Sequence, residues 1–290
     1  MSTSADTPPE VPAGNADDLR HVIERCRAGS DVDLSDHHPR DTLGWDKEPA
    51  KAALAAEQAV LRDLHQRLHA ERDAALLVVL QGVDAGGKGG AVRSVLTGMN
   101  PTYVRVWAFG VPSEEERRHD FLWRIHDHCP ALGEIAVFDR SHYEDVLVVR
   151  VRELAPESRW RPRYEHIRNF ERMLHDEGTH VVKLFLNVSP ERQQERLQDR
   201  LDSPDERWKF RLGDLEDRAL WHEYQRAFRD AIRETDTDEA PWYVVPGDRK
   251  WVRNLAVARL LRAHLERIDP SFPPGDPELD GVVVPGIPDR

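Results

Sequence analysis

Nine residues, Gly82–Gly90, leave this chain few folds to choose from. The apolar run AALLVVLQG (74–82) passes straight into Gly82-Val83-Asp84-Ala85-Gly86-Gly87-Lys88-Gly89-Gly90, and a helical pattern follows. This is G-x-x-x-x-G-K between a strand and a helix, where successive backbone N–H groups can curl around phosphate oxygens. The helix behind adds the positive end of its dipole. In this reading Gly82, Ala85, Gly86, Gly87, Gly89 and Gly90 form the cradle, and Lys88 reaches the outer phosphates. The bland alternative is a glycine-rich turn with no ligand.

Four further apolar runs follow: YVRVWAFG (103–110), EIAVFDR (134–140), HVVKLFLNVS (180–189) and PWYVVPG (241–247). Each is short and rich in Val or Leu, as expected of strands buried on both faces. Charged helical stretches separate them, such as 51–72 and 162–177. The alternation predicts an α/β fold with a parallel five-stranded sheet flanked by helices. Ligands of such sheets bind beyond the carboxyl ends of the strands, where the motifs below all fall.

The loop departs from the usual pattern at one position. Gly89 stands where a Ser or Thr hydroxyl normally holds magnesium. The metal needs hard oxygen ligands, and Asp84 within the loop is the natural replacement, unless it only accepts loop N–H bonds. The third run ends in Phe138-Asp139-Arg140-Ser141-His142-Tyr143. An acid there is the second metal-holding element of a phosphate-loop site, which makes Asp139 a metal ligand. Arg140 can bridge a transferring phosphoryl group with its fork of donors, or form a surface ion pair.

Basic residues cluster over 150–172 and 192–211, and interleaved acids make a solvated helix face the ordinary explanation for most of them. The second cluster follows the fourth strand, where kinases of this kind carry a mobile helical lid. Arg196 and Arg200 are four apart, hence on one helix face. Lys209 and Arg211 lie beyond a turn at Ser203-Pro204. From this cluster Arg200 and Lys209 are the chosen phosphate contacts. The 14 histidines show no metal-ligand spacing. Trp208, Trp221, Tyr224, Phe228 and Trp242 are expected to build the packing of the lid rather than a base-stacking platform.

Composition narrows the partners. With 41 basic and 53 acidic residues, the net charge of −12 argues against a nucleic-acid coat. No apolar run approaches the roughly 20 residues that span a bilayer. The first residues, MSTSADTPPEVPAGN, lack the pattern of a signal peptide. Cys26 and Cys129 fit no metal spacing and read as free thiols, so a cytoplasmic setting is expected. The expected organisation is an extended segment over 1–29, a catalytic domain over 30–268 with its lid at about 190–235, and a tail over 269–290. Six prolines make that tail extended.

On these residues the chain resembles the type-2 polyphosphate kinase family. The resemblance rests on 82–90, on Phe-Gly-Val-Pro-Ser (109–113) and on Phe-Asp-Arg-Ser-His-Tyr-Glu-Asp-Val-Leu (138–147). It continues through Trp208-Lys209-Phe210 with Asp214-Leu215, Trp242-Tyr243-Val244-Val245-Pro246 and Lys250-Trp251, covering roughly 30–268. Gly-Lys-Gly-Gly is itself typical of that family. The run His142-Tyr143-Glu144-Asp145 is similar to the subclass that phosphorylates nucleoside mono- and diphosphates. The resemblance implies a thymidylate-kinase-like fold, a homo-oligomer (dimer or tetramer), polyphosphate as donor, a nucleotide as acceptor, and Mg2+ or Mn2+. It implies that Lys88 and the loop hold phosphate, that Asp84 and Asp139 hold metal, and that Arg140, Arg200 and Lys209 steady the donor. It also implies that Gly110, Pro112 and Ser113 lie near the nucleotide and that Glu144 discriminates acceptors.

The chemistry expected of such a site is modest. An acceptor phosphate oxygen is already largely ionised at neutral pH, its second pKa being about 6. No general base is required, only the in-line meeting of two polyanions under positive charge. The rival with the same fold is an ATP-dependent kinase of a nucleoside monophosphate or other small molecule. A GTPase-like switch lacks its Asn-Lys-x-Asp element here, and intact Asp84, Lys88 and Asp139 argue against a dead scaffold.

Overall fold

The computed structural model describes residues 16–284, 286 and 287. The expectations for 1–15, 285 and 288–290 lie outside the described residues. The strands are β1 (Ala75–Gln81), β2 (Val104–Ala108), β3 (Ile135–Asp139), β4 (Thr179–Asn187) and β5 (Trp242–Pro246). The helices are α1 (Ala16–Cys26), α2 (Lys47–Glu71), α3 (Lys88–Val95), α4 (Trp123–His126), α5 (Val148–Val151), α6 (Glu157–Trp160), α7 (Arg163–Asp176), α8 (Pro190–Asp202), α9 (Leu212–Ala219), α10 (Trp221–Thr235) and α11 (Lys250–Ile268).

All strand pairs are parallel, in the order β2-β3-β1-β4-β5. The chain leaves β1 for one side of the sheet and crosses to the other between β3 and β4. The reversal opens a crevice at the carboxyl end of β1, and the glycine loop occupies it. Strand side chains alternate between faces. Leu77 and Val79 of β1 enter one core with Phe138, Phe185 and Trp242, under α7 and α10. Leu76, Val78 and Leu80 enter the other with Val137, Leu184 and Val245, under α2, α3 and α11. A one-residue slip of β1 would exchange the two cores, so burial on both faces pins its register.

Two expectations need correction, and one borne-out strand holds a feature its run did not announce. The run 103–110 is not buried on both faces: β2 is an edge strand, with Val106 47% exposed. Part of the segment expected to be extended over 1–29 is helix α1. Its Leu19, Val22 and Cys26 form a helical stripe, and Val22 and Cys26 join the core beside α11 and β5. The apolar run of β4 hides a charge, for Lys183 is fully buried and donates to Glu171 Oε2 at 2.6 Å. Tyr143 and His142 also bond that carboxylate, through its Oε1.

Candidate active site

The glycine loop turns where its backbone demands it. Gly86 N–H donates to Val83 O at 2.9 Å, and Gly87, the N-cap of α3, has φ +96, a region that favours glycine. Ala85 also has positive φ, as does Arg140 on the facing strand end. Such strain in non-glycine residues persists only where the surroundings enforce it. At Arg140 the enforcement is visible, since its N–H donates to Leu80 O at 3.0 Å and extends the β1–β3 ladder by one bond.

Lys88 is folded back over the loop. Its Nζ donates to Gly82 O at 2.8 Å and Val83 O at 3.3 Å, and the side chain is buried. Asp84 is ion-paired with Arg140, whose Nη2 donates to Oδ1. Burial works against the Asp84 charge, yet Arg140 and Lys88 outweigh it and hold the carboxyl below its ordinary value. Arg140 is likewise kept charged against burial by Asp84, Glu144 and Asp139. Asp139, at the end of β3, faces Gly89: a Cβ on that glycine would lie 4.0 Å from Asp139 Oδ2. The missing hydroxyl of position 89 is thus replaced by open space beside a carboxylate.

Two clefts meet at this point. The first, of about 500 Å³, is lined by the loop 84–90, Arg93, Asp139, Arg140, Arg200 and Lys209. Its rim is cationic. The second, of about 310 Å³, is largely apolar, with Phe109, Val148, Trp221, Tyr224 and Phe228 in its walls and Arg124 and Glu144 at its polar points. Asp84, Phe109, Arg140, Arg211 and Asp214 line both. A group held in one cleft can therefore meet a group held in the other across the Asp84–Arg140 pair.

Of the residues expected at the nucleotide, Gly110, Pro112 and Glu144 line the apolar cleft. Ser113 does not; its Oγ accepts from Glu116 N and its N–H donates to Glu116 Oε2, so it caps a short turn. Burial pushes the Glu144 carboxyl up, against the pull of Arg140 and Lys88. With the Gln81 amide set so that its oxygen accepts from Ser141, its nitrogen donates to Glu144 Oε1 at 3.1 Å. Arg200 lines the cationic cleft, while Lys209, also on its rim, bonds Glu206 at 2.8 Å.

Tyr224, Phe228 and Trp242 are packed in the core, with Trp221 against it, as expected of packing residues, and only Trp208 departs. Trp221, Tyr224 and Phe228 also wall the apolar cleft, and Trp208 is exposed beside Lys209. Arg196, paired with Arg200 by spacing, turns inward and donates to Ala85 O, Gly86 O and Gly247 O at 3.2, 2.9 and 2.7 Å. Gln193 Nε2 donates to Asp84 O at 3.0 Å. The stripe 193, 196, 200 on α8 was the available signal for this clamp. Arg124, buried and donating to Gly110 O at 3.0 Å, had no such signal, and Asp214, whose carboxyl burial and Asp84 push up, stood in the resembling stretch without a role assigned to it.

Comparison with known proteins fits this geometry. Residues 44–273 match the family model described as polyphosphate kinase 2. The chain is 50% identical to an AMP/ADP-polyphosphate phosphotransferase of Meiothermus ruber, over 90% of this chain and 98% of that protein. It is 39% identical to an ADP-polyphosphate phosphotransferase of Rhodopseudomonas palustris, over 87% and 92%. The crystal structure of polyphosphate kinase 2 from Arthrobacter aurescens TC1 superposes with a TM-score of 0.85 at 42% identity, covering 88% of this chain and 92% of that one. The chain belongs to the polyphosphate kinase 2 family.

Proposed function

We propose that this protein transfers phosphoryl groups reversibly between inorganic polyphosphate and AMP or ADP, with the phosphate chain in the cationic cleft and the nucleotide in the apolar one. The observation that carries this reading is the junction of the two clefts at Asp84 and Arg140. The name of the Meiothermus ruber relative supports AMP and ADP as acceptors.

In this reading the loop N–H groups and Lys88 grip the terminal phosphates of the donor. Lys88 would exchange its bonds to the Gly82 and Val83 carbonyls for phosphate oxygens. Arg140 stands between the clefts and spans the transferring group with parallel N–H donors. Arg200 and Lys209 close over the chain from the lid, while Arg124 and Glu144 orient the acceptor. The acceptor oxygen is ionised, so these residues need move no proton.

The donor set fits a hard divalent cation. Asp84 and Asp139 line one cleft, and the Arg140 bond to Oδ1 leaves Asp84 Oδ2 free of that bond. Magnesium takes one or two carboxylates and completes its shell with phosphate oxygens and water. A bound Mg2+ (or Mn2+) would neutralise phosphate charge there, with Asp84 and Asp139 as protein ligands.

The test is to incubate the purified protein with polyphosphate, Mg2+ and either AMP or ADP and to measure ATP. ATP formation without any nucleoside triphosphate supports the reading. Phosphorylation of AMP only when ATP is the donor would replace it with an ordinary nucleotide kinase.

A further inference from the structure

Two guanidiniums, Arg196 and Arg253, lie against the glycine loop, and neither lines the cleft on its open side. Arg196 directs both Nη atoms at the backbone carbonyls of Ala85, Gly86 and Gly247, and only its Nε is left without a partner. Arg253, in the first turn of α11, is different. It is 2% exposed, and its Nε and Nη2 donate to the neutral Oδ1 of Asn254 at 3.0 and 2.7 Å. Asn254 is itself tied to Ser94 Oγ of α3 at 2.8 Å.

No carboxylate compensates Arg253 among the described residues: burial and the like charge of Arg196 together lower its pKa to about 10. The same helix shows what a structural buried arginine looks like here. Arg259 and Arg262 both pair with Glu57, at 3.1 and 3.2 Å. A buried charge left without a partner is costly, and such groups concentrate at functional sites.

The loop is also shaped around it. A Cβ on Gly87 would sit 2.1 Å from Arg253 Nη1, and one on Gly90 3.3 Å from Nη2. Gly90 lies within α3, where glycine weakens a helix, so the space it leaves has a use. We propose that Arg253 is a positioning residue for the donor polyanion, its unpaired charge held behind the loop until the phosphate chain supplies the missing negative charge. Gly87 and Gly90 are then glycines in order to seat a guanidinium as well as to receive phosphate. The effect passes through the loop, since Arg253 does not reach the cleft. The proposal rests on the donor assignment of the cationic cleft.

The test is a comparison of Arg253→Met, Arg253→Lys and Gly90→Ala, measuring KM for polyphosphate and for ADP and the affinity for inorganic tripolyphosphate by calorimetry. Loss of one charge near the site should raise the polyphosphate KM and the tripolyphosphate Kd about tenfold in the Met variant. The ADP KM should stay unchanged, and Lys should recover most of the loss. A folded Met variant with wild-type donor affinity overturns the proposal, as does an equal rise in both KM values that Lys does not rescue. Should the Met variant fail to fold, Gly90→Ala decides, because the nearest atoms its methyl meets outside its own helix backbone belong to the Arg253 guanidinium, from 3.3 Å. A rise in donor KM alone that is removed when Gly90→Ala is combined with Arg253→Lys supports the inference; wild-type behaviour, or a rise that persists unchanged in the double variant, overturns it. Lys88→Met serves as the separate control: undiminished tripolyphosphate affinity there would sink the cleft assignment itself.

Discussion

Arg140 shows how much of this site depends on single side chains. Its positive φ, its ladder bond to Leu80 and its ion pair with Asp84 aim one guanidinium at the meeting of two clefts. Lys88 stands opposite, stored on loop carbonyls. Lys88→Ala should lower kcat by about 10²–10³-fold, the usual cost of removing one preorganised charge-stabilising donor. The circular dichroism of the variant should stay unchanged, and retained activity would remove the loop from the mechanism. Glu144 allows a test through pH. Burial raises its carboxyl in the folded state, so the folded protein binds the proton more readily and stability falls as pH rises past the ordinary glutamate value. Glu144→Gln should therefore melt higher than the parent at pH 7. Thermal scans should show the gap closing as pH drops to the ordinary glutamate range; a gap that widens on acidification would contradict the stated shift.

At the scale of elements, the strand–loop–helix unit from β1 to α3 is the part most plainly written in the sequence. Its signal is local: seven consecutive buried residues in β1, then glycines. What escaped is non-local. The loop clamp is made by Arg196 from α8, and the apolar cleft is walled by α5 and α10, none of which adjoins the loop in sequence. The helix α1 was missed because its apolar stripe is short and set among charges. Lys183 was invisible because one charge does not change the character of an apolar run. Its buried pair with Glu171, bonded by Tyr143 and His142, anchors the loop that carries Glu144. Lys183→Met takes the lysine cation from the buried Glu171, leaving it only the Tyr143 and His142 bonds, and should destabilise by about 3–5 kcal/mol. Adding Glu171→Leu should restore much of that loss, read as chemical-denaturation midpoints. A double variant no better than the single one would mean the pair does more than neutralise itself.

Across the whole molecule, a net charge of −12 coexists with a cleft ringed by Lys88, Arg93, Arg140, Arg200 and Lys209. A polyanionic donor is therefore attracted locally and repelled at a distance. Tenfold more salt shortens the screening length about threefold. Salt should then weaken the close phosphate contacts, and the polyphosphate KM should rise with ionic strength more steeply than the KM of the singly seated nucleotide. Equal dependence would argue that both ligands share one electrostatic environment. The fold class and the phosphate loop were legible because they follow from periodicity and glycine. Of the second cleft only Gly110, Pro112 and Glu144 were named, through the resemblance, since its other walls assemble only when α4, α5 and α10 pack around the ends of β1 and β3. The most direct examination of the two-cleft arrangement is a crystal soaked with tripolyphosphate and AMP. Separate seating, with the chain on Lys88, the nucleotide against Phe109 and Tyr224, and facing phosphates across Arg140, is the expected result. Both ligands in one cleft, or the chain bound away from the glycine loop, would contradict it.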